Sequence, residues 1–333
     1  MSVIIPVFNA SAFLAQGLPA LVSECREGFE FEVIVVDDGS SDDSASVSES
    51  FGARVHQMAQ NGGPARARNA GAAQARGEYL LFVDADVRIH PGALSRVIEF
   101  LDEHPSVAAV FGSYDSRPRV RGLLTEYKNL LHHFVHQTGQ QQASTFWTGC
   151  GAIRREVFRQ MGGFDESGYP RCIEDIELGY RLRAAGYEIV LDPGLQCTHL
   201  KRWTICEWIR TDVFCRAIPW ADLNFKRGVD PDDLNISKSQ KLSVLLTAVG
   251  VMLAATVPVS SWAVAGAVLA LLVVVALNHR LFRFFWRARG SWFALGCIPL
   301  HMLYFLYSGI SYAYVWIAFK LGVRVVDGNT RGY

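Results

Sequence analysis

Two aspartates follow a short apolar stretch, Tyr79–Val83, in the segment GEYLLFVDADV. Asp84 and Asp86 are separated by one residue, so in an extended chain their side chains point the same way. Two carboxylates aimed at one place repel each other. The spacing therefore predicts a positive group beside the pair, and the alternative is a solvated turn.

Two further polar clusters also follow apolar stretches. PVFN (Pro6–Asn9) closes the first stretch, and DDGSSDD (Asp37–Asp43) closes the second. On its own, the second cluster could be only a turn followed by a helix N-cap. In a doubly wound sheet, however, ligands bind beyond the carboxyl ends of the strands. The three clusters are therefore predicted to face one edge of a sheet.

The elements that would position these clusters alternate along the first 115 residues. Buried strands are predicted at Val3–Val7, Glu32–Val36, Tyr79–Val83 and Val107–Gly112. Helices are predicted between them at Ser11–Ser23, Ala65–Arg76 and Gly92–Glu103. A further helix, a stop at Gly186 and a strand are predicted within Glu174–Pro193. This alternation predicts an α/β fold with a doubly wound, mostly parallel sheet.

The last third of the chain is much more apolar. Leu242–Leu277 has 36 residues without a charge, whereas a single membrane span needs about 20. Pro258, Ser260 and Ser261 lie near its middle and favour a helical hairpin. Basic residues flank the stretch on both sides, so the positive-inside rule returns the hairpin to the cytoplasm.

A third span is predicted at Ser291–Phe319, or two more if Pro299 breaks it. Transmembrane α-helices are thus predicted for residues 241–320, with three or four spans, and a tail at 321–333. A buried soluble helix pair is the less favoured alternative. Trp203–Trp220, within a 201–240 linker, is predicted to lie on the membrane surface, the alternative being an ordinary core helix.

Overall composition limits the classes of function. The chain has 333 residues with 32 basic and 32 acidic side chains, so no basic excess points to nucleic acid. Seven cysteines without a CxxC pair suit a reducing compartment. The N-terminus shows no signal-peptide pattern, so the soluble part is expected in the cytoplasm.

Six segments, in this order, make residues 1–200 resemble family 2 glycosyltransferases with the GT-A fold. They are IIPVFN, VVDDGSSDD, NGGPARARNAG, ARGEYLLFVDADV, GCGAIRREVFRQMGGFDE and EDIELGYRLRAAGY. The resemblance implies transfer of a sugar from a nucleotide-sugar donor with Mg²⁺ or Mn²⁺. A divalent ion stabilises charge on the leaving diphosphate, and carboxylate oxygens suit such ions.

The resemblance also assigns roles to the strand-end residues. It makes Asp86 the more direct metal ligand, while Asp84 shares the metal and leans toward the ribose. It makes Asp37 and Asp38 the base-binding pair, and either uracil or guanine could donate to them. It further places four residues near the nucleotide: Pro6, Asn9, Arg68 and Asn69.

Glu174 and Asp175 match the catalytic acidic pair of the family. The resemblance makes Asp175 the general base that removes the acceptor proton in an inverting displacement. An acceptor phosphate would already be ionised, and Asp175 would then position it. Both Glu174 and Asp175 are therefore predicted catalytic residues.

The segment HLKRW departs from the QxxRW motif of processive synthases. His199 is either a third metal ligand, as in other GT-A enzymes, part of an acceptor-side element, or a packed core histidine. Arg202 could clamp the diphosphate. Trp203 could stack on a sugar or anchor to the membrane.

These features predict a multi-pass inner-membrane glycosyltransferase whose catalytic domain faces the cytoplasm. Its acceptor is predicted to be lipid-linked or another glycan. The alternatives are a processive polysaccharide synthase, favoured by HLKRW, and a membrane scaffold with an inactive transferase domain. A nucleotidyltransferase would carry a glycine-rich basic loop where this chain has PVFNASAF. The sugar, the base, the acceptor and the oligomeric state, monomer or homo-oligomer, stay open.

Overall fold

The computed structural model describes residues 1–24, 30–228, 238–256 and 261–326. Contacts divide the chain into two compact units. The first consists mainly of Met1–Val120 and His136–Arg202, and the second of Arg121–Val135 and Trp203–Val325. Cys25, Pro258, Ser260 and most of the predicted tail lie outside the described residues.

An eight-stranded sheet forms the centre of the first unit, in the order β3-β2-β1-β4-β7-β6-β8-β5. The strands are β1 (Ser2–Val7), β2 (Glu32–Asp37), β3 (Arg54–Gln57), β4 (Tyr79–Val83), β5 (Val87–Ile89), β6 (Val107–Tyr114), β7 (Cys150–Arg154) and β8 (Glu188–His199). Neighbours pair in parallel except that β7 is antiparallel to β4 and β6, and β5 is antiparallel to β8. The sheet is therefore mixed, and its parallel members end at one edge.

Helices cover this sheet. They are α1 (Ser11–Val22), α2 (Ser44–Ser50), α3 (Pro64–Gln74), α4 (Ala93–Glu103), α6 (Arg155–Gln160) and α7 (Glu174–Ala184). Fully buried strand side chains such as Val3, Val35 and Leu81 form the core between them. The four predicted strands and three predicted helices of residues 1–115 are confirmed, with boundaries shifted by one or two residues.

Helix α3 passes unusually close to the sheet. Gly63 has a left-handed φ of 90°, and Pro64 then begins the helix. A Cβ on Gly71 would lie 2.6 Å from Cγ2 of Ile4, so only glycine permits this approach. The close packing holds Arg68, one turn earlier, against the edge where the strands end.

The second unit is helical. Its elements are α5 (Leu123–Thr138, of which residues 123–135 belong here), α8 (Ile205–Asp212), a π-helical turn (Val213–Ala217), α9 (Ile218–Arg227), α10 (Lys238–Ala255), α11 (Trp262–Leu277), α12 (His279–Arg289) and α13 (Ser291–Lys320). Thr204 and Glu207 form a capping box that begins α8. The aromatic core includes Tyr127, Trp208 and Phe285, each fully buried.

This packing differs from the predicted surface helix at Trp203–Trp220. Trp208 is fully buried, and its ring lies 5.6 Å from that of Tyr127 and 5.9 Å from that of Tyr307. The segment also breaks into α8, the π-helical turn and α9. For Trp208, the interpretation as an ordinary core residue is therefore correct.

Helix α13, with 30 residues, is the one helix in the described ranges that is long and apolar enough to cross a membrane. Helices α11 and α12 would count as a second span only if taken together, and they are bent by 74°. The predicted three or four spans are not confirmed. Helices α10 and α11 do pack as a pair, because a Cβ on Gly250 would lie 3.4 Å from that of Ala270.

Candidate active site

Asp86 and His199 meet where β4, β5 and β8 come together. Asp86 lies between β4 and β5, His199 ends β8, and the antiparallel register places Val87 opposite His199. His199 Nε2 lies 3.3 Å from Asp86 Oδ2. Burial would raise the pKa of Asp86, but the neighbouring charges of His199 and Lys201 outweigh it and hold the pKa below its ordinary value. The group that lies beside Asp86 in the structure is thus His199.

Asp84 has a different partner. Arg68, almost fully buried, donates from Nη2 to Asp84 Oδ1 at 2.7 Å and from Nη1 to Glu174 Oε1. Burial raises the pKa of Asp84, with the Arg68 guanidinium opposing and Asp86 adding to the rise. Arg68 was expected to face the nucleotide, whereas here it is a buried counter-ion. The reason is that two carboxylates, from β4 and α7, converge on α3.

Glu174 is the more deeply buried member of the predicted acidic pair. Burial raises its pKa to about 7, against the lowering influence of Arg68. Asp175, by contrast, is partly exposed, and its Oδ2 accepts from the backbone N and Oγ1 of Thr148, both at 3.2 Å. Of the two, Asp175 is therefore the carboxylate that a substrate can reach.

Asp37 and Asp38, the predicted base-binding pair, are buried, and both accept hydrogen bonds from the backbone. Asp38 accepts from the backbone N of Gly62 at 2.7 Å and of Gly63 at 2.8 Å. Burial raises the pKa of Asp38 despite these bonds. Asp37 Oδ1 accepts from the backbone N of Ser40 at 2.9 Å. In this structure, both carboxylates hold the loops that surround the strand ends.

Pro6 and Asn9 lie at the end of β1. Pro6 pairs with Val36 in the parallel register, and on the β4 side the pairing of β1 stops at Ile4. Proline has no backbone N–H, and it fits this position because no strand pairing with β4 is made there. Asn9 is left-handed, with φ 51°, and its Oδ1 accepts from Ser41 N at 2.8 Å. Asn9 thus fixes the DDGSSDD loop.

Asn69, predicted near the nucleotide, bonds the GGFDE loop in the structure. Its amide donates to Phe164 O at 2.9 Å and accepts from Phe164 N at 2.9 Å, and it also donates to Glu166 at 2.8 Å. The amide is therefore used to hold the GGFDE loop. Local sequence could not show this, because the partners lie about a hundred positions away.

Arg202 is exposed in the first unit. Trp203 belongs to the second unit, where its backbone N donates to Thr125 Oγ1 at 3.1 Å. Lys128 Nζ lies 5.1 Å from its ring centroid, within cation–π range. The structure therefore gives Trp203 a packing role in the helical unit.

The aspartates and His199 fit a divalent ion in part. Two ligands at right angles, each about 2.1 Å from an ion, are roughly 3 Å apart, close to the 3.3 Å between Asp86 and His199. The side chains of Asp84 and Asp86 are 33% and 25% exposed, so an ion can reach them. No group of three or more His, Cys, Asp and Glu side chains that could hold an ion occurs in the described ranges. Other ligands would come from the diphosphate and water.

Residues absent from the predicted set complete this edge. Thr148 holds Asp175, and Tyr114 stacks on His199 with ring centroids 4.6 Å apart. Trp147 lies edge-on to Tyr114 at 5.0 Å. Trp147 and Thr148 directly precede the GCGAIRRE segment, and that adjacency is the signal that could have found them.

Comparison with curated proteins gives partial matches. Poly(ribitol-phosphate) beta-N-acetylglucosaminyltransferase TarS of Staphylococcus aureus (strain Mu50) is 38% identical over 110 residues, covering 32% of this chain and 19% of TarS. The pre-mycofactocin glycosyltransferase of Mycobacterium tuberculosis (strain H37Rv) is 32% identical over 228 residues, covering 64% of this chain and 45% of the relative. The chain thus spans less than half the length of these two curated relatives.

Solved structures share the fold. The mannosyltransferase PcManGT from Pyrobaculum calidifontis, in complex with GDP-Man and Mn²⁺, has a TM-score of 0.58 at 19% identity, covering 94% of this chain and 86% of the other. GalNAc-T7 with UDP, GalNAc and Mn²⁺ has a TM-score of 0.50 at 16% identity, covering 68% and 51%. The predicted GT-A type of fold is confirmed.

The family model described as "Glycosyl transferase family 2" matches residues 2–162. This range contains β1 to β7 and both Asp84 and Asp86. Residues 2–162, just under half of the chain, thus match glycosyl transferase family 2.

Proposed function

We propose that this protein is a glycosyltransferase that moves a sugar from a nucleotide-sugar donor to an acceptor. The observation that carries the proposal is the meeting of Asp86, from the turn between β4 and β5, and His199, from the end of β8, 3.3 Å apart beside Asp84. The match to family 2 and the partly exposed Asp175 support it. An inactive scaffold would have no need to keep these carboxylates reachable against their mutual repulsion.

We propose that Asp86 and His199, with Asp84 beside them, hold Mg²⁺ or Mn²⁺ together with the donor diphosphate. The bound ion would neutralise the charge that develops on the leaving nucleotide. The similar mannosyltransferase was solved with GDP-Man and Mn²⁺, and GalNAc-T7 with UDP and Mn²⁺. Both UDP- and GDP-sugars are therefore candidate donors, with Asp37 and Asp38 at the base end of the pocket.

In the proposed reaction, Asp175 serves the acceptor. Thr148 donates two hydrogen bonds to one carboxylate oxygen and fixes the orientation of the side chain. Asp175 then accepts the proton of an acceptor hydroxyl as it attacks the anomeric carbon, with inversion. Glu174 acts indirectly, because it accepts a hydrogen bond from Arg68 and holds that side chain beside Asp84.

We propose a lipid-linked acceptor and attachment to the cytoplasmic face of the inner membrane through α13. Helix α12 supports this, because its apolar side is buried whereas Arg280, Arg283, Trp286 and Arg287 are exposed. Such a face suits anionic headgroups. The protein should then stay with membranes after a high-salt wash and leave them only in detergent. Release by salt alone would contradict the anchoring.

The test of the proposed activity is a panel of UDP- and GDP-sugars added to the full chain in detergent, with Mn²⁺ or with EDTA. One donor class should raise the melting temperature only with Mn²⁺, because a ligand stabilises the state that binds it. Asp86→Ala should remove this shift, and Glu49→Ala, an exposed acid on α2, should keep it. No shift with any sugar would refute the proposal.

The length of the product distinguishes a single-transfer enzyme from the alternative, a processive synthase. A single-transfer enzyme should release one product carrying one added sugar when a lipid-phosphate acceptor is supplied. A ladder of longer products would instead support a synthase, which the HLKRW segment favours.

A further inference from the structure

Trp147 occupies a constrained position in the first unit. It is partly exposed, and its indole covers Gly149 so closely that a Cβ there would overlap the ring. Tyr114 packs edge-on against the indole, at 5.0 Å and 89°. His136 does the same at 5.3 Å and 88°. The ring is therefore held rigidly while part of it stays accessible.

The neighbours that hold the ring are themselves held. His136 is buried, and its Nδ1 lies 2.9 Å from the backbone oxygen of Gly112. Tyr114 stacks on His199 at 4.6 Å with 26° between the rings. Trp147 thus reaches the proposed metal ligand through one intervening ring.

The backbone that follows Trp147 connects to both halves of the proposed reaction. The next residue, Thr148, bonds Asp175 through N and Oγ1 at 3.2 Å. The residue after it, Gly149, accepts at its oxygen from the backbone N of Asp84 at 3.4 Å. Trp147 therefore directly precedes a segment that bonds both the carboxylate proposed to serve the acceptor and a residue proposed to serve the diphosphate.

We infer that Trp147 is the aromatic platform against which the transferred sugar of the donor rests. In the proposed reaction the anomeric carbon lies between the diphosphate and Asp175, and the backbone directly after Trp147 bonds residues on both sides of that position. Aromatic faces pack well against the C–H faces of a sugar. A rigid platform also lowers the entropy cost of orienting the ring.

The inference rests on the proposed function, and its test needs no acceptor. Affinities of the full chain are measured by calorimetry with Mn²⁺ for a bare nucleoside diphosphate and for its nucleotide sugar, either UDP and UDP-GlcNAc or GDP and GDP-mannose, whichever pair the wild type binds. Two variants are compared. Trp147→Phe keeps an aromatic face, and Trp147→Leu keeps apolar bulk without one.

Trp147→Leu should bind the nucleotide sugar about tenfold more weakly and the bare diphosphate within twofold of the wild type. Trp147→Phe should stay close to the wild type for both. Equal losses for both ligands, or equal behaviour of Leu and Phe, would overturn the inference and make Trp147 a packing residue. A wild type that binds neither nucleotide sugar would overturn the proposed function as well, so the two failures are distinguishable.

Discussion

Two buried clusters, one chosen from each unit, show different ways in which a cation bridges elements distant in sequence. In the second unit, Lys128 Nζ lies 2.6 Å from Asp212 Oδ1. Asp212 Oδ2 also accepts from Trp208 Nε1 at 2.7 Å and from Tyr307 OH at 2.6 Å. Burial would raise the pKa of Asp212, but Lys128 outweighs it and the pKa falls below its ordinary value. This cluster is closed, because the buried carboxylate has a full set of donors.

The cluster of the first unit is open. There a single guanidinium, that of Arg68, bonds two carboxylates, Asp84 and Glu174. Asp86 lies two positions after Asp84, and the side chain of Asp84 is 33% exposed, so solvent can reach it. The charge is therefore incompletely balanced by protein groups. In the closed cluster the carboxylate is paired within the protein, whereas the open cluster leaves a carboxylate that a cation from solvent can reach.

The largest expected effect comes from removing the central cation of the open cluster. Arg68→Met leaves two facing carboxylates unpaired, so the free energy of unfolding should fall by about 3–5 kcal/mol. Chemical denaturation measures this. The matched control is Arg66→Met, two residues earlier and exposed, which should change stability by less than about 0.5 kcal/mol. Equal effects would mean that Arg68 is not the counter-ion described.

In the closed cluster, removing the carboxylate should cost nearly as much. Asp212→Ala leaves Lys128 buried without its partner and should lower stability by about 3 kcal/mol in a detergent denaturation series. In the open cluster, by contrast, Asp86→Asn should leave stability within about 1 kcal/mol, because the amide avoids the cost of burying a charge and this offsets the lost attraction of His199 and Lys201. If both substitutions destabilise the protein equally, the distinction between the clusters is wrong.

The pH dependence of stability should reveal the buried Glu174 of the open cluster. The pKa of Glu174 in the folded state is raised from 4.5 to about 7. The protonated side chain therefore stabilises the fold fully below pH 4.5, the pKa of the unfolded state, and this stabilisation is lost as the pH rises through 7. The ligand-free wild type should therefore lose roughly 1–2 kcal/mol between pH 5 and pH 7. Glu174→Gln should flatten that slope in thermal melts. An unchanged slope in the variant would remove Glu174 as its source.

The smallest expected effect concerns the orientation of Asp175. Thr148→Val keeps the shape and the backbone bond but removes the hydroxyl bond to Asp175 Oδ2. The loss of one hydrogen bond to a charged group should lower kcat by about tenfold, with the KM of the donor unchanged. Thr145→Val, a buried threonine in the same loop, is the control. A fall in donor affinity, with kcat unchanged, would show that Thr148 contributes to donor binding and not to the orientation of Asp175.

Much of the sheet was predictable because its central strands are short apolar runs that end in polar clusters. Strand β3 has four residues and β5 has three, and both contain polar side chains, so neither produces a recognisable run. The convergence of Asp37, Asp84 and the end of β1 at one edge follows from parallel pairing alone.

The partners inside the site were not predictable in the same way. Arg68 and Glu174 are 106 positions apart, and nothing local to either residue indicates that α3 and α7 meet. The family resemblance predicts Asn69 near the nucleotide, and nothing in its local sequence indicates that its amide bonds Phe164 and Glu166. The burial of Trp208 likewise depends on α13, almost a hundred residues later.

The most direct test of the open cluster is a titration of Mn²⁺ into the full chain with GDP or UDP present, followed by the electron paramagnetic resonance signal of free Mn²⁺. The wild type should bind one Mn²⁺ per chain in the presence of the nucleotide. Asp86→Ala should weaken this binding by about 100-fold, since ligands at a divalent site act together. Unchanged Mn²⁺ affinity in Asp86→Ala would contradict the claim that this cluster is completed by a cation.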